Sequence, residues 1–255
     1  NCDIILKSEQ KPLTNEECTY MRNLGYYNGE IGLIEDMKVP MTDRGLYFGD
    51  GIYDATYSKN YIIFTLEEHI DRFFRSAKAL RIELPHSRQE LCDILYDMLY
   101  KMDTGSNFVY WQATRGSGIR NHVFPADGSK ANIWITITPK DIVDTYKRIR
   151  LCTMPDTRFL HCDIKTLNLI PAVMAAQKAK ELSCDETVFH RDGRVTECAH
   201  SNVHIIKDGV FITAPTDNLI LPGIARKHLL SACEKLAIPT LERPFSLDEM
   251  FSADE

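Results

Sequence analysis

The chain has 255 residues, enough for a substantial core in one large domain or two small ones. Hydrophobic content of 44% and charged content of 26% are ordinary globular values, and a formal net charge of −6 argues against nucleic acid or an anionic membrane as partner. No apolar run approaches the ~18 residues of a membrane span and no signal-peptide pattern opens the chain, so a soluble, cytoplasmic protein is expected.

In chain order, residues 26–65 read as short strands and turns. Tyr27-Asn28-Gly29-Glu30, Asp43-Arg44-Gly45 and Gly49-Asp50-Gly51 supply the Asn-Gly, Asp-Gly and glycine steps that tight turns need. A helix is predicted after Thr65, which has capping-box spacing to Glu68 and is followed by Ile70, Phe73, Phe74, Ala77 and Leu80 at helical period. Ser87 and Glu90 repeat that spacing before Leu91, Ile94, Leu95, Met98 and Leu99. Strands are predicted over 108–114, 133–137 and 148–153, with a polar linker near 139–147. An alanine- and lysine-rich helix over 171–182, hairpins turning at Asp192-Gly193 and Asp208-Gly209, and a helix opening after Pro222-Gly223 complete the pattern. The order indicates an α+β or mixed α/β fold in two halves: residues 1–138, and 148–255 beyond the linker. The chain starts at Asn1 and stops at Glu255 within what reads as the beginning of another element.

The eight cysteines are scattered and form no C-x-x-C pair, so free thiols in a reducing cytoplasm are expected rather than a disulfide framework. Cys198, His200, Asn202 and His204 alternate and would share a face on a strand. A half-buried strand with polar positions is preferred there to a zinc site, and no metal is expected.

Lys165 carries the chemistry. It sits in the mostly apolar run Cys162-Asp163-Ile164-Lys165-Thr166-Leu167-Asn168-Leu169-Ile170, where a strongly hydrated ammonium is out of place. In a dry pocket such an amine loses proton affinity and becomes a nucleophile towards carbonyl carbon, although most lysines beside apolar residues merely snorkel. Glu197 follows in Val195-Thr196-Glu197-Cys198-Ala199-His200-Ser201-Asn202-Val203. A lysine that bonds an aldehyde and a carboxylate that holds a pyridinium nitrogen are what pyridoxal 5′-phosphate (PLP) requires of a protein.

Five motifs in register strengthen that reading: Asp43-Arg44-Gly45 with Phe48-Gly49-Asp50-Gly51-Ile52-Tyr53; His69-Ile70-Asp71-Arg72; the Lys165 run; Thr196-Glu197 with Ser201-Asn202-Val203; and Gly223-Ile224. Together they resemble the class IV (fold type IV) PLP-dependent aminotransferases, from about Tyr26 to the last residue. That group includes D-amino-acid and branched-chain aminotransferases and aminodeoxychorismate lyase. The resemblance implies a two-domain fold type IV architecture and a homodimer with a shared active site.

It also implies roles. Lys165 would bond the cofactor aldehyde and then move the substrate α-proton, and Glu197 would hold the ring nitrogen. Arg72, Ser201, Asn202, Ile224 and Ala225 would complete the cofactor site, with phosphate at Arg72 and at the helix opened by Gly223. The family often has threonine in place of Ala225, so one hydroxyl contact is missing. Tyr53 would face the substrate carboxylate, while Tyr110, Arg120 and His122 would grip it from the neighbouring subunit. Ala199-His200 stands where the D-amino-acid enzymes commonly have small hydroxyl residues, leaving the role of His200 open. The family continues beyond Glu255 with a strand and a further phosphate contact, so the C-terminal half reads as cut short, and residues 1–20 precede the usual family start with no role assigned.

The implied reaction is ping-pong amino transfer, through pyridoxamine phosphate, between a D-amino acid and a 2-oxo acid. Branched-chain aminotransferase and aminodeoxychorismate lyase are the alternatives, and Arg120-x-His122 speaks against both. A non-catalytic homologue is a further alternative, disfavoured by the intact set of Lys165, Glu197, Arg72 and Tyr53.

Overall fold

The computed structural model describes residues 22–125 and 129–255, so residues 1–20 lie outside the described part. The first half is built on one antiparallel sheet. Its strands are β1 (Leu24–Tyr27), β2 (Glu30–Gly32), β3 (Gly51–Lys59), β4 (Ile62–Ile63), β5 (Asn107–Thr114) and β6 (Asn132–Pro139), in the order β2-β1-β6-β5-β3-β4. Asn28 and Gly29 both have positive φ, as a two-residue hairpin of right-handed twist requires. Between β2 and β3, the segment read as a turn at Asp43-Arg44-Gly45 is a short helix, α1 (Arg44–Phe48). The Asp43 side chain accepts from Gly45 N, and Gly49 ends the helix at φ 61°. An Asx N-cap and an αL glycine at the two ends of one short helix look like turn residues in sequence, because both also occur in turns.

One face of the sheet is covered by α2 (Leu66–Ala79) and α3 (Arg88–Leu99). Ile70, Phe73 and Ala77 of α2 and Leu91, Leu95 and Met98 of α3 pack onto Ile52, Val109, Trp111, Ile133 and Ile135. Strict alternation along β5 and β6 leaves the opposite face to Tyr110 and Trp134, which meet Tyr53 in a row with centroid spacings of 5.5 Å. The two predicted capping boxes diverge. Ser87 and Glu90 form theirs reciprocally. Thr65 lies in the left-handed region (φ 47°) and caps nothing, while Glu68 pairs with Lys227 (3.0 Å) and His228 (3.1 Å). A long-range ion pair has taken the side chain that local spacing assigned to the cap.

After Pro139, residues 140–150 form no regular element, and the strand expected over 148–153 is β7 (Leu151–Pro155). A crossover through α4 (Ile170–Glu181) returns the chain to β8 (Glu186–Arg191), parallel to β7, and Asp192-Gly193 turns it into β9 (Arg194–Cys198). A second three-stranded sheet repeats the logic: β10 (His204–Lys207) and β11 (Val210–Thr213) form a hairpin at Asp208-Gly209. A crossover through α5 (Ile224–Lys235) then brings in β12 (Thr240–Glu242) parallel to β11. The short α6 (Leu247–Phe251) follows, and Val188, Val195, Ile205, Ile212 and Phe245 form the shared core of these sheets. Cys198 ends β9 and His204 begins β10, so the alternating Cys198, His200, Asn202 and His204 span a turn rather than one strand face. No metal-holding cluster occurs among the described residues, and six described cysteines are free thiols.

Candidate active site

The 156–169 segment before α4 carries Lys165, and its backbone is held like an extra strand beside β3. Tyr53 N donates to Lys165 O (3.0 Å) and Leu167 N to Gly51 O (3.0 Å). From α2, Ser76 Oγ accepts from Lys165 N at 3.3 Å. A Cβ at Gly51 would run into Ala113 O and Leu167, so the close approach depends on that glycine. Fixed this way, the Lys165 ammonium lies 4.2 Å from the centre of the Tyr53 ring.

A cavity of about 520 Å³ opens around it, lined among others by Tyr53, Arg72, Lys165, Glu197, Asn202 and Gly223. Burial, reinforced by the nearby Arg72 charge, lowers the Lys165 amine from 10.5 to about 8. An ammonium that ordinarily stays charged well into the alkaline range thus becomes available as a free amine near neutrality.

Glu197, the penultimate residue of β9, is buried, and burial raises it to about 6 against the pull of its donors. Arg158 contacts Oε1, while Oε2 accepts from Asn202 Nδ2 (3.0 Å) and Leu221 N (3.0 Å). Arg158 is anchored in turn by Asp156 (2.8 Å) and Leu219 O (2.9 Å). The carboxylate is therefore both oriented and ionised at pH 7. Neither Arg158 nor Asp156 stood out in the sequence, where both sit in the polar stretch Asp156-Thr157-Arg158 ahead of the Lys165 run and carry no signal of their own.

At another wall, α5 begins with Gly223 as an extended N-cap whose first turn has no side-chain cap. A Cβ at Gly223 would overlap Asn202 Oδ1, so glycine lets the helix start close to the residue that orients Glu197. Ile224 and Ala225 line the cavity from this first turn. Arg72, buried on α2, reaches the same corner, its Nη1 3.5 Å from Pro222 O. Uncapped N–H groups and a guanidinium converging on one corner make an anion site.

The other expected residues fall into two groups. Ser201 lines the cavity but commits its hydroxyl to Glu186 (3.0 Å). His200 lies at the cavity wall with a largely exposed side chain, its Nδ1 2.8 Å from Glu186, and that bond holds its pKa above the ordinary value. Tyr110, Arg120 and His122 are outside this chain's cavity lining. Tyr110 stacks on Tyr53 and donates to Gln112 (2.8 Å), while Arg120 and His122 pack on Phe48 at 5.2 and 5.1 Å. The loop carrying Arg120 and His122 is tied down by Arg44, which donates to Asn121 O (2.7 Å) and is held by Asp50.

The family model described as amino-transferase class IV matches residues 51–255. The chain belongs to the class IV aminotransferases. It is 38% identical to the D-alanine aminotransferase of Listeria monocytogenes over 226 residues, 87% of this chain and 78% of that protein. It is equally identical to the D-alanine aminotransferase of Staphylococcus epidermidis over 232 residues, 90% and 82%. Among solved structures, it superposes on the branched-chain aminotransferase of Thermoproteus uzoniensis with a TM-score of 0.82 at 24% identity, over 91% of this chain and 81% of that one. The branched-chain amino acid aminotransferase from Escherichia coli gives 0.81 at 22%, over 92% and 81%. These likenesses establish the mixed α/β, fold type IV architecture. The cofactor of the family is PLP, and the chain's donor set fits it: a lysine of lowered pKa, a held carboxylate, and an anion corner share one cavity large enough for the group.

Proposed function

We propose that this class IV aminotransferase exchanges the amino group of a D-amino acid with the oxo group of a 2-oxo acid, in two half-reactions of ping-pong form. The observation that carries the reaction type is the convergence of Lys165, Glu197 and Arg72 on a single cavity. The D-specific reading is supported by 38% identity to D-alanine aminotransferases across most of the chain, whereas the branched-chain likenesses speak for fold only.

Lys165 is assigned as the residue that bonds the cofactor and then, as a free amine, takes the proton from the substrate α-carbon; a base near 8 is matched to that task at neutral pH. When bound, PLP supplies an electron-accepting ring that makes this proton removable. Glu197 keeps a proton on the ring nitrogen, with Arg158 and Asn202 holding the carboxylate in place. Arg72 and the first turn of α5, with Ile224 and Ala225, bind the phosphate; Ser201 and Asn202 close the wall between these groups. Tyr53 shields Lys165 and faces the substrate.

The substrate carboxylate is assigned to Tyr110, Arg120 and His122 of a second copy, which makes the working unit a homodimer. Support comes from their position outside the cavity lining of their own chain and from the anchored loop that presents two of them. Residues 1–138 and 148–255 are read as domains joined by a linker at 139–147, in keeping with the absence of regular elements between β6 and β7. No helix among the described residues is long and apolar enough to cross a membrane, and a cytoplasmic location fits the free thiols.

The test is the visible spectrum of PLP-loaded protein with D-alanine or L-alanine added and no acceptor. Loss of the lysine-bound cofactor band with D-alanine alone is expected; loss with an L-substrate alone would move the assignment to the branched-chain side. Pyruvate release without an acceptor would identify the lyase. Substituting Arg120 should raise KM far more than it lowers kcat, and unchanged kinetics would remove it from the carboxylate grip.

A further inference from the structure

The inward face of β3 departs from the apolar pattern of its neighbours. β5 and β6 present Val109, Trp111, Ile133 and Ile135 to the helices, but β3 presents Asp54, fully buried beneath α2. A buried carboxylate in such a layer is costly unless every lone pair is used. Here Ala55 N, which donates to Oδ1 (2.8 Å), and three donors from α2 supply four hydrogen bonds. Arg72 donates through Nε to Oδ2 (2.9 Å) and through Nη2 to Oδ1 (2.7 Å), and His69 Nδ1 lies 2.7 Å from Oδ1. His69 and Arg72 are one helical turn apart, so both reach the same carboxylate.

The fork geometry has a consequence for the remaining edge of the guanidinium. With Nε and Nη2 taken by Asp54, Nη1 is the terminal nitrogen left over, and it is the one 3.5 Å from Pro222 O beside the start of α5. Arginine has many rotamers and would lose that freedom on gripping an anion; a bidentate partner behind it removes the loss beforehand. The arrangement also carries an opposing effect, since the carboxylate offsets the charge that Arg72 offers.

We propose that Asp54, braced by His69, is a positioning residue that fixes Arg72 for the cofactor phosphate, so that its orientation of the guanidinium outweighs its cancellation of charge. The inference rests on Arg72 being a phosphate ligand, and the experiment separates the two claims.

Full-length protein stripped of cofactor is titrated with PLP and with pyridoxal, which has the aldehyde but no phosphate, following the visible band and the quenching of tryptophan fluorescence. Asp54→Asn is expected to weaken PLP by about tenfold, the low end of what losing an outer partner of a metal-ligating side chain costs, with pyridoxal changed less than about twofold. In an Arg72→Gln background, which itself loses preference for PLP over pyridoxal, Asp54→Asn should have no further effect. His69→Leu, which leaves the ion pair intact, should show a smaller loss of the same selectivity and guards against a misfolded Asp54 variant. Equal weakening of PLP and pyridoxal, tighter PLP binding, or an undiminished effect without Arg72 would each overturn the proposal. If Arg72→Gln itself leaves the preference for PLP intact, the phosphate role of Arg72 fails instead, and the inference with it.

Discussion

Replacing Lys165 by methionine should stabilise the cofactor-free protein while abolishing turnover. The amine falls from 10.5 to about 8 on folding, because burial and the Arg72 charge disfavour the ammonium. A group whose folded pKa lies below its unfolded value penalises the folded state wherever it is protonated. That penalty is fully present below about pH 8 and fades as the pH rises to the unfolded value near 10.4. At about 1.36 kcal/mol per pH unit, it amounts to about 3 kcal/mol at pH 7 and about 1.4 kcal/mol at pH 9.5. Methionine has similar length and no charge, so Lys165→Met removes the penalty. Its greater hydrophobicity adds a gain that does not vary with pH. Urea unfolding of both proteins at the two pH values isolates the ionisation: the advantage of the variant should shrink by about 2 kcal/mol between them. A constant advantage, or none, would refute the claim that this lysine is held in a desolvated, destabilised state for its chemistry.

Arg158→Gln should push Glu197 above its present value of about 6, because a neighbouring guanidinium lowers a carboxylate by about one to three pH units. Glu197 would then be protonated at pH 7, and the acid limb of the kcat profile should move upward; an unmoved limb would separate Arg158 from Glu197. The same change should cost about 3–5 kcal/mol in unfolding free energy, nearer the lower figure because Asp156 keeps Arg191 and Thr196. Gly223→Ala must displace Asn202, so PLP binding should weaken and stability fall by about 1–3 kcal/mol, read as cofactor Kd and Tm. Ala225→Thr places a hydroxyl in the first turn of α5 and should tighten PLP about two- to tenfold in a spectroscopic titration, the value of one added hydrogen bond.

Much of the framework was legible in the residues. Period-two alternation in β6, helical periodicity in α2 and α3, and Asp-Gly or Asn-Gly turns at residues 28–29, 192–193 and 208–209 are local effects, fixed by side-chain direction and backbone sterics. Lys165 and the Pro222-Gly223 helix start were visible for a related reason, as an ammonium in an apolar run and a glycine opening a helix. Glu197, by itself an ordinary carboxylate at a strand end, stood out only through Lys165 upstream and the family motif around it.

What stayed open depended on partners far along the chain. Glu68 had the spacing of a cap, but α5 brought Lys227 and His228 to it, and an ion pair across 159 residues replaced a local bond. His200 could have titrated freely until β8 supplied Glu186. Arg158 and Asp54 look in sequence like an ordinary surface arginine and a strand aspartate. Only the packing of β3 against α2, and of the 156–169 segment against β9, showed that one holds Glu197 and the other Arg72. The order of residues was enough to set the elements and the reactive groups, because those follow from interactions within a turn or a strand. Which groups are buried, and which countercharge holds each of them, emerged only on folding, because desolvation and Coulomb attraction act through space rather than along the chain.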